Sequence, residues 1–161
     1  MELTESRVYL RPLSVQDAEI SWKWRNDPEI WKYTGSRPDK YITPEIERAW
    51  LKEVLEDPSS YRYAICIKDT NEYIGNVQIT GIDCNTGEGE FHIFIGEKKY
   101  WNRGYGSEAT KMMIDLARSE LSLKRIVLHV NRENLPALKI YGKCGFHWDG
   151  REGQMVINLL N

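Results

Sequence analysis

Nothing in this sequence supplies a long apolar run, a block of one charge or a cysteine framework, and each lack removes a class of function. No stretch approaches the ~20 apolar residues that span a bilayer. Met1 to Arg11 carries no apolar core of signal-peptide length, so a cytoplasmic protein with no membrane partner is expected. The 22 basic and 24 acidic residues leave a formal net charge of −2. No Lys/Arg run exceeds two residues, which argues against nucleic acid as a partner. The three cysteines, Cys66, Cys84 and Cys144, fit neither a disulfide framework nor a zinc site. They read as free thiols in a reducing compartment, and no metal is expected. What remains is an ordinary balance, 41% hydrophobic and 29% charged over 161 residues. That length suits one domain, 1–161, with a core of its own.

Hydrophobic periodicity divides the chain. Arg7 to Leu13 alternates, with Val8 and Leu10 opposite Tyr9 and Arg11, and reads as a strand ended by Pro12. Ser14-Val15-Gln16-Asp17 is a capping box opening a helix to about Asn26, with Val15, Ala18 and Trp22 on one face. Asp27-Pro28 breaks it. Thr43-Pro44 starts a second helix, striped by Ile46, Trp50 and Val54. Tyr61–Lys68, Glu72–Thr80 and Glu90–Ile95 read as an antiparallel meander, its turns at Asp69-Thr70-Asn71 and Gly87-Glu88-Gly89. Gly106–Leu121 is helical. Arg125–Val130 reads as a strand buried on both faces. Asn134–Cys144 is a helix carrying Leu135, Leu138 and Tyr141 on one side, with Gly145 closing it. Phe146–Leu159 forms a hairpin turning at Gly150 to Gly153. The order predicts an α+β chain with one mixed sheet.

Trp101-Asn102-Arg103-Gly104-Tyr105-Gly106 opens a helix, where glycines and unpaired N–H groups make an anion site. By letter, Gly104-x-Gly106-x-x-Ala109 also matches a dinucleotide fingerprint. That reading needs a strand directly before the first glycine and an acid at the end of the next strand. The loop Glu97 to Arg103 intervenes, and His129, Val130 and Asn131 stand where the acid belongs. No Gly-Lys-Ser/Thr follows, so a kinase-type phosphate loop fails as well. A plain tight turn into a helix is the bland alternative.

The loop has company. Gly104-Tyr105-Gly106-Ser107-Glu108-Ala109 resembles the pyrophosphate loop of the GNAT acetyltransferases. Asn131-x-x-Asn134-x-x-Ala137-x-x-x-Tyr141-x-x-x-Gly145-Phe146 resembles their second cofactor motif. Leu10-Arg11-Pro12-Leu13 and Trp24-Arg25-Asn26-Asp27 are similar to the branch holding ribosomal-protein N-terminal, aminosugar-nucleotide and polyamine acetyltransferases. One departure is Trp101, where Arg or Gln is frequent. The resemblance implies a twisted, mostly antiparallel mixed sheet splayed in the middle, with helices on both faces and acetyl-CoA in the split. It further implies that Arg103, Gly104, Tyr105, Gly106 and Ser107 hold the pyrophosphate, with Asn131 and Asn134 along the cofactor. A backbone N–H among Ile93, Phe94 and Ile95 would meet an oxyanion. The amine would attack the thioester directly in a ternary complex, and Tyr141 would protonate the departing thiolate. The alternative for Tyr141 is a wall residue under the cofactor.

A lysine-like amine near pKa ~10.4 costs roughly 4–5 kcal/mol to deprotonate at pH 7, an α-amine near ~8 only about 1 kcal/mol. A small basic acceptor therefore asks for a base. Glu90, His92 and Phe94 share one face of the third meander strand, Phe91, Ile93 and Ile95 the other. If the latter face the core, Glu90 and His92 line the cleft and either can take the proton; the bland alternative is a solvated face. His129 reads as a structural histidine and Cys144 as a buried thiol. The acceptor is expected to be an aminosugar nucleotide or a polyamine; a protein N-terminus is one alternative, a non-catalytic acyl-CoA sensor another. Trp22, Trp24, Trp31 and Trp50 could stack on the acceptor or only pack, and Thr34 to Lys40 is expected to shape that site. The spacing leaves monomer or homodimer open.

Overall fold

The computed structural model describes residues 6–32 and 37–160. Strand β1 (Val8–Pro12) is followed by a 3-10 turn at Val15–Asp17 and helices α1 (Ala18–Arg25), α2 (Pro28–Trp31) and α3 (Pro44–Leu55). The meander β2 (Tyr61–Ile67), β3 (Tyr73–Asp83) and β4 (Glu88–Ile95) comes next. Then α4 (Tyr105–Ser119), β5 (Arg125–His129), α5 (Leu135–Lys143), β6 (His147–Trp148) and β7 (Gln154–Asn158) complete the chain. The seven strands form one sheet in the order β1-β2-β3-β4-β5-β7-β6.

Among the described residues only β4 and β5 pair in parallel, through Glu88 with Arg125, Gly89 with Ile126 and Glu90 with Val127. Beyond Glu90 and Val127 the two strands part, as the resemblance implied. Both faces of the sheet are covered. On one, Met113, Ile114 and Ala117 of α4 and Tyr141 of α5 join Ile65, Val77, Phe91, Ile126 and Leu128 in the larger core cluster. On the other, Ala18 and Trp24 of α1 and Leu51 of α3 pack with Ala64, Cys66 and Tyr73. Val8 belongs to the first cluster while Tyr9 packs against the second, the alternation read from the sequence.

Several local readings need correction. The capping box at Ser14 is present, but it starts a 3-10 turn, and α1 begins only at Ala18. The buried residues of α1 are Ala18, Ser21 and Trp24, not the set containing Val15 and Trp22, because the tighter turn resets the helical phase. Asp27-Pro28 does not merely break the helix: the Asp27 carboxylate accepts from the Glu29 N–H and caps α2. In α3 the fully buried positions are Glu47 and Leu51, one step from the expected stripe of Ile46, Trp50 and Val54, which is half-buried. The reason is an internal ion pair. Glu47 accepts from Ser21 Oγ at 2.7 Å and from Arg25 Nη1 at 2.8 Å, tying α3 to α1.

The β3–β4 turn is Cys84 to Gly87, with Gly87 at φ 73°, so Glu88 and Gly89 already belong to β4. Leu135 is 69% exposed; Pro136 in the first turn of α5 shifts the inward face to Ala137, Leu138, Tyr141 and Cys144. β5 is buried only at Ile126 to Leu128, and its end at His129 is exposed. The end of α5 follows the sequence reading. Gly145 at φ 105° lets Phe146 N–H reach the Tyr141 carbonyl at 3.0 Å, and the two rings meet at 5.8 Å. No helix of the described residues is long and apolar enough to cross a membrane.

Gly96, just past β4, marks where α1 docks. A Cβ there would stand 2.0 Å from Trp24 Cδ2, and that indole is held by Tyr73 at 4.8 Å and Phe94 at 5.8 Å. Gly96→Ala is therefore expected to lower stability by about 1–3 kcal/mol in urea unfolding. A loss below about 0.5 kcal/mol would show that α1 is not locked against β4.

Candidate active site

The parting of β4 and β5 leaves backbone groups without strand partners. Gly96 N–H bonds back to the Ile74 carbonyl of β3, so by strand alternation Ile93 and Ile95 turn their backbone groups toward the split and Phe94 turns toward β3. Trp101 fits this geometry: its indole N–H donates to the Ile95 carbonyl at 2.8 Å. The residue that departs from the usual loop pattern thus closes an open strand edge. Of the three candidates for an oxyanion donor, only Ile93 and Ile95 direct an N–H into the gap.

The glycine loop lies at the entrance to α4. Gly104 adopts φ 88° and ψ 0° as N-cap, with no side chain capping the helix. The first helical bond runs from Glu108 N–H to the Gly104 carbonyl, so the amides of Tyr105, Gly106 and Ser107 precede it. Such amides, at the positive end of the helix dipole, suit a phosphate. Arg103 is exposed beside them, and Gly106 and Ser107 are buried. A Cβ on Gly106 would press on Ile140 Cδ1 at 3.1 Å, so glycine there also lets α4 approach α5.

An anchor invisible in the sequence holds this loop. Glu108 accepts from Arg7 N at 2.8 Å, Arg7 Nε at 2.6 Å and Ser6 Oγ at 3.1 Å. Arg7 Nη2 donates to the Arg103 carbonyl at 2.8 Å, and the guanidinium lies over the Tyr105 ring at 4.2 Å. Burial works against the Glu108 carboxylate, but its hydrogen bonds and charge contact with Arg7 hold it below the usual range. Arg7 and Glu108 are 101 positions apart, so no local pattern could reveal the pair. An acid in the first turn of α4 was the one available signal.

Asn131 and Asn134 both spend a carboxamide oxygen locally. Asn131 Oδ1 accepts from Glu133 N–H at 2.8 Å, and Asn134 Oδ1 caps α5 through Ala137 N–H at 3.3 Å. Each keeps its amide N–H₂ for other partners. Tyr141 is buried against Phe91 and Phe146. Its burial, aided by Cys144, pushes the phenol up to about 12. The Cys144 thiol is half-buried and donates to the Ser107 carbonyl at 3.8 Å.

On the opposite face, Phe91 faces the larger core and Phe94 the smaller, so Glu90 and His92 stand on the Phe94 face of β4. They are not alone. Glu90 Oε2 lies 2.8 Å from His92 Nε2, and Glu90 Oε1 lies 2.8 Å from His129 Nδ1. The His129 side chain is 58% exposed, so it is no enclosed structural histidine; the apolar run of β5 hid that its last residue clears the core. Thr80 Oγ1 reaches His92 Nε2 at 3.2 Å. Burial holds the His92 imidazole below its ordinary value; Glu90 pulls it up, while Arg62 and His129 push it down. A groove of about 490 Å³ runs along this face, lined among others by Thr80, Asp83, Glu88, Glu90, His129 and Gln154. Arg125 answers Glu88 at 3.7 Å.

The four tryptophans divide. Trp24 is core, its indole N–H on Glu97 at 2.8 Å. Trp50 lies between the guanidinium groups of Arg25 and Arg62 at 4.7 and 5.6 Å. Trp22 meets Tyr41 edge-on at 6.3 Å, and Arg37 lies over Trp31 at 5.7 Å. Of the loop expected to shape the acceptor site, Thr34, Gly35 and Ser36 fall outside the described residues.

Residues 7–147 match the acetyltransferase (GNAT) domain family. The chain belongs to the GNAT acetyltransferase family. A probable N-acetyltransferase of Bacillus subtilis, YjcK, is 30% identical over 89% of this chain and 82% of its own length. The spermidine N(1)-acetyltransferase of Escherichia coli is 28% identical over 89% of this chain and 74% of its own. In fold, the spermidine N-acetyltransferase of Vibrio cholerae, solved with CoA and spermine, superposes with a TM-score of 0.85. That match covers 98% of this chain and 100% of the other at 23% identity. The GNAT chain described here is thus an acetyl-CoA-dependent N-acetyltransferase.

Gly104 gives a direct test of the loop. A side chain at φ 88° costs about 1–2 kcal/mol, and a Cβ would approach Arg7 Nη2 to 3.0 Å. Gly104→Ala should lose that much stability by thermal unfolding, and Gly104→Asn less, because Asn tolerates the left-handed region. Equal losses for the two would refute the assigned conformation.

Proposed function

We propose that this GNAT enzyme acetylates a small polycationic amine of the polyamine class. Two features support the reading. The acceptor-side groove carries the carboxylates of Asp83, Glu88 and Glu90, a lining that attracts an alkylammonium and repels the phosphates of an aminosugar nucleotide. Relatives named for spermidine also match nearly the whole chain.

In this reading the amides of Tyr105, Gly106 and Ser107, with Arg103, hold the pyrophosphate of acetyl-CoA. Asn131 and Asn134 flank the pantetheine arm. Ile93 or Ile95 N–H stabilises the oxyanion as the amine attacks directly. Tyr141 then gives its proton to the departing thiolate. A polyamine nitrogen must first lose a proton, and Glu90 and His92 stand where a base is needed. An imidazole near ~6.5 is about 4 units below a primary amine and a carboxylate near ~4.3 about 6 units below, so the imidazole route is cheaper by roughly 3 kcal/mol.

The first experiment is thiol release from acetyl-CoA with spermidine, spermine, aminosugar nucleotides and N-terminal peptides. Turnover with the polyamines is expected; preference for a peptide or a nucleotide would replace the acceptor class. Tyr141→Phe should bind acetyl-CoA as the parent does and lower kcat about 100-fold or more. Unchanged kcat would remove Tyr141 from the chemistry and leave it a wall residue. An enzyme silent on every acceptor yet binding acetyl-CoA would favour a sensor.

A further inference from the structure

We propose that Glu90 joins His92 and His129 into one proton-accepting unit across the apex of the split, with His92 as the base that meets the amine and His129 as a positioning residue acting through Glu90. This rests on the amine-acetylating reading above.

The placement follows from strand register. Glu90 and Val127 are the last pair of the parallel ladder. His92 and His129 each lie two residues further along, one on each diverging strand, so their side chains fall on the same face as Glu90. The Glu90 carboxylate bridges the gap, one oxygen to each ring at 2.8 Å. An ionised carboxylate only accepts hydrogen bonds. The ring nitrogens it touches therefore carry the protons: Nε2–H on His92 and Nδ1–H on His129. This leaves the His92 Nδ1 lone pair free to act as a base, the logic of an imidazole oriented by a carboxylate. With both oxygens occupied, Glu90 cannot swing away from His92.

His129 helps to line the carboxylate groove and His92 stands beside it, two residues past the last paired residue of β4; the reacting nitrogen meets His92 while the rest of the polycation lies along Asp83, Glu88 and Glu90. The neighbours of His92 across the sheet are Gln78 on β3 and, beyond that, Arg62 on β2. This polar lane leads toward α3, where Arg62 stacks on Trp50. The groups facing His92 are Glu90 on its own strand, Thr80 and Arg62 on the neighbouring strands, and His129 across the split. The His92 side chain is 44% exposed, open to an incoming amine, and its partial burial still favours the neutral ring, the form a base needs at neutral pH.

The protons balance. His92 Nδ1 takes one proton from the ammonium and later releases it to solvent. The amine nitrogen bonds to the acyl carbon, the C–S bond breaks, and the thiolate takes the Tyr141 proton. The second proton lost by nitrogen restores the phenol.

The test combines kinetics with titration of the free protein. Changing His129 to Ala should lower kcat about tenfold and leave the KM for acetyl-CoA unchanged. H129N keeps an N–H at the position of Nδ1 and should recover most of kcat. The acid limb of kcat/KM should move in opposite directions in two variants. H129A removes a ring that disfavours charge on His92, so the limb rises; E90Q removes the carboxylate that favours it, so the limb falls. In nitrogen-15 NMR of the free protein, E90Q should lower the titration of the His92 imidazole and shift the His129 Nδ1–H resonance as its carboxylate partner is lost. Full activity in H129A, equal damage in H129A and H129N, or an unmoved His129 Nδ1–H resonance in E90Q would each overturn the bridge. If the parent enzyme acetylates no polyamine, the acceptor class fails, while the titration still decides whether the bridge exists.

Discussion

The constraint on which the rest depends is that the parallel ladder between β4 and β5 ends after three pairs. A sheet does not open in its middle without cost, because each unpaired amide and carbonyl there must find another partner or water. The chain manages the opening from both ends. At the far end of β4, Trp101 covers the Ile95 carbonyl. At the apex, Glu90 reaches across to His129, so a side-chain contact succeeds the last backbone bond. Between them Ile93 and Ile95 keep their amide edges toward the gap. A ligand rich in amides, with a thioester to polarise, matches what that edge lacks.

Two covering layers then divide the work. The α4–α5 side supplies the rigid half. Its loop conformation is held by Arg7, the residue just before β1, through Glu108 and the Arg103 carbonyl, so the chain entering the first strand positions a loop nearly a hundred residues later. The α1–α3 side is held differently. Its buried link is the Ser21–Glu47–Arg25 group, in which the carboxylate is fully enclosed and satisfied. Such a pair adds little net stability over an apolar one but fixes the register of two short helices. That register brings Trp50 over Arg62, at the head of the polar lane ending in His92. A precise lid over a reactive face needs specificity of packing more than depth of core.

What the sequence made legible follows from interaction range. The glycine loop, the Gly145 ending and the Glu90–His92 alternation are local, and each was readable from spacing alone. The α1 and α3 faces were misread by one step because a 3-10 turn and a buried Glu47 break the assumption that apolar residues mark the inward side. Arg7–Glu108 and Glu90–His129 join residues far apart in the chain, and neither leaves a periodic trace. His129 is the instructive case: at the end of an apolar strand it looked enclosed, yet the parting of β4 and β5 brings it to the surface. The event that creates the site also erases its sequence signal.

The raised phenol of Tyr141 counts at first sight against the proposal that it acts as an acid. Near 12, against a free thiol near ~8.5, proton transfer to the thiolate is uphill by about 3.5 units, roughly 5 kcal/mol. That comparison takes the thiol in water. The same burial that disfavours phenolate disfavours thiolate, and this chain illustrates it: the Cys66 and Cys144 thiols are both raised, with desolvation the leading cause. A thiolate leaving beside Tyr141 would be subject to the same penalty, so the gap narrows as the C–S bond breaks and closes the more completely the drier the site. The high value has a second consequence. It keeps Tyr141 protonated up to about pH 12, so between the His92 titration and that limit the proposed acid and base are ready together. The two groups reach those states by one cause, desolvation, acting in opposite directions on a neutral acid and a cationic one.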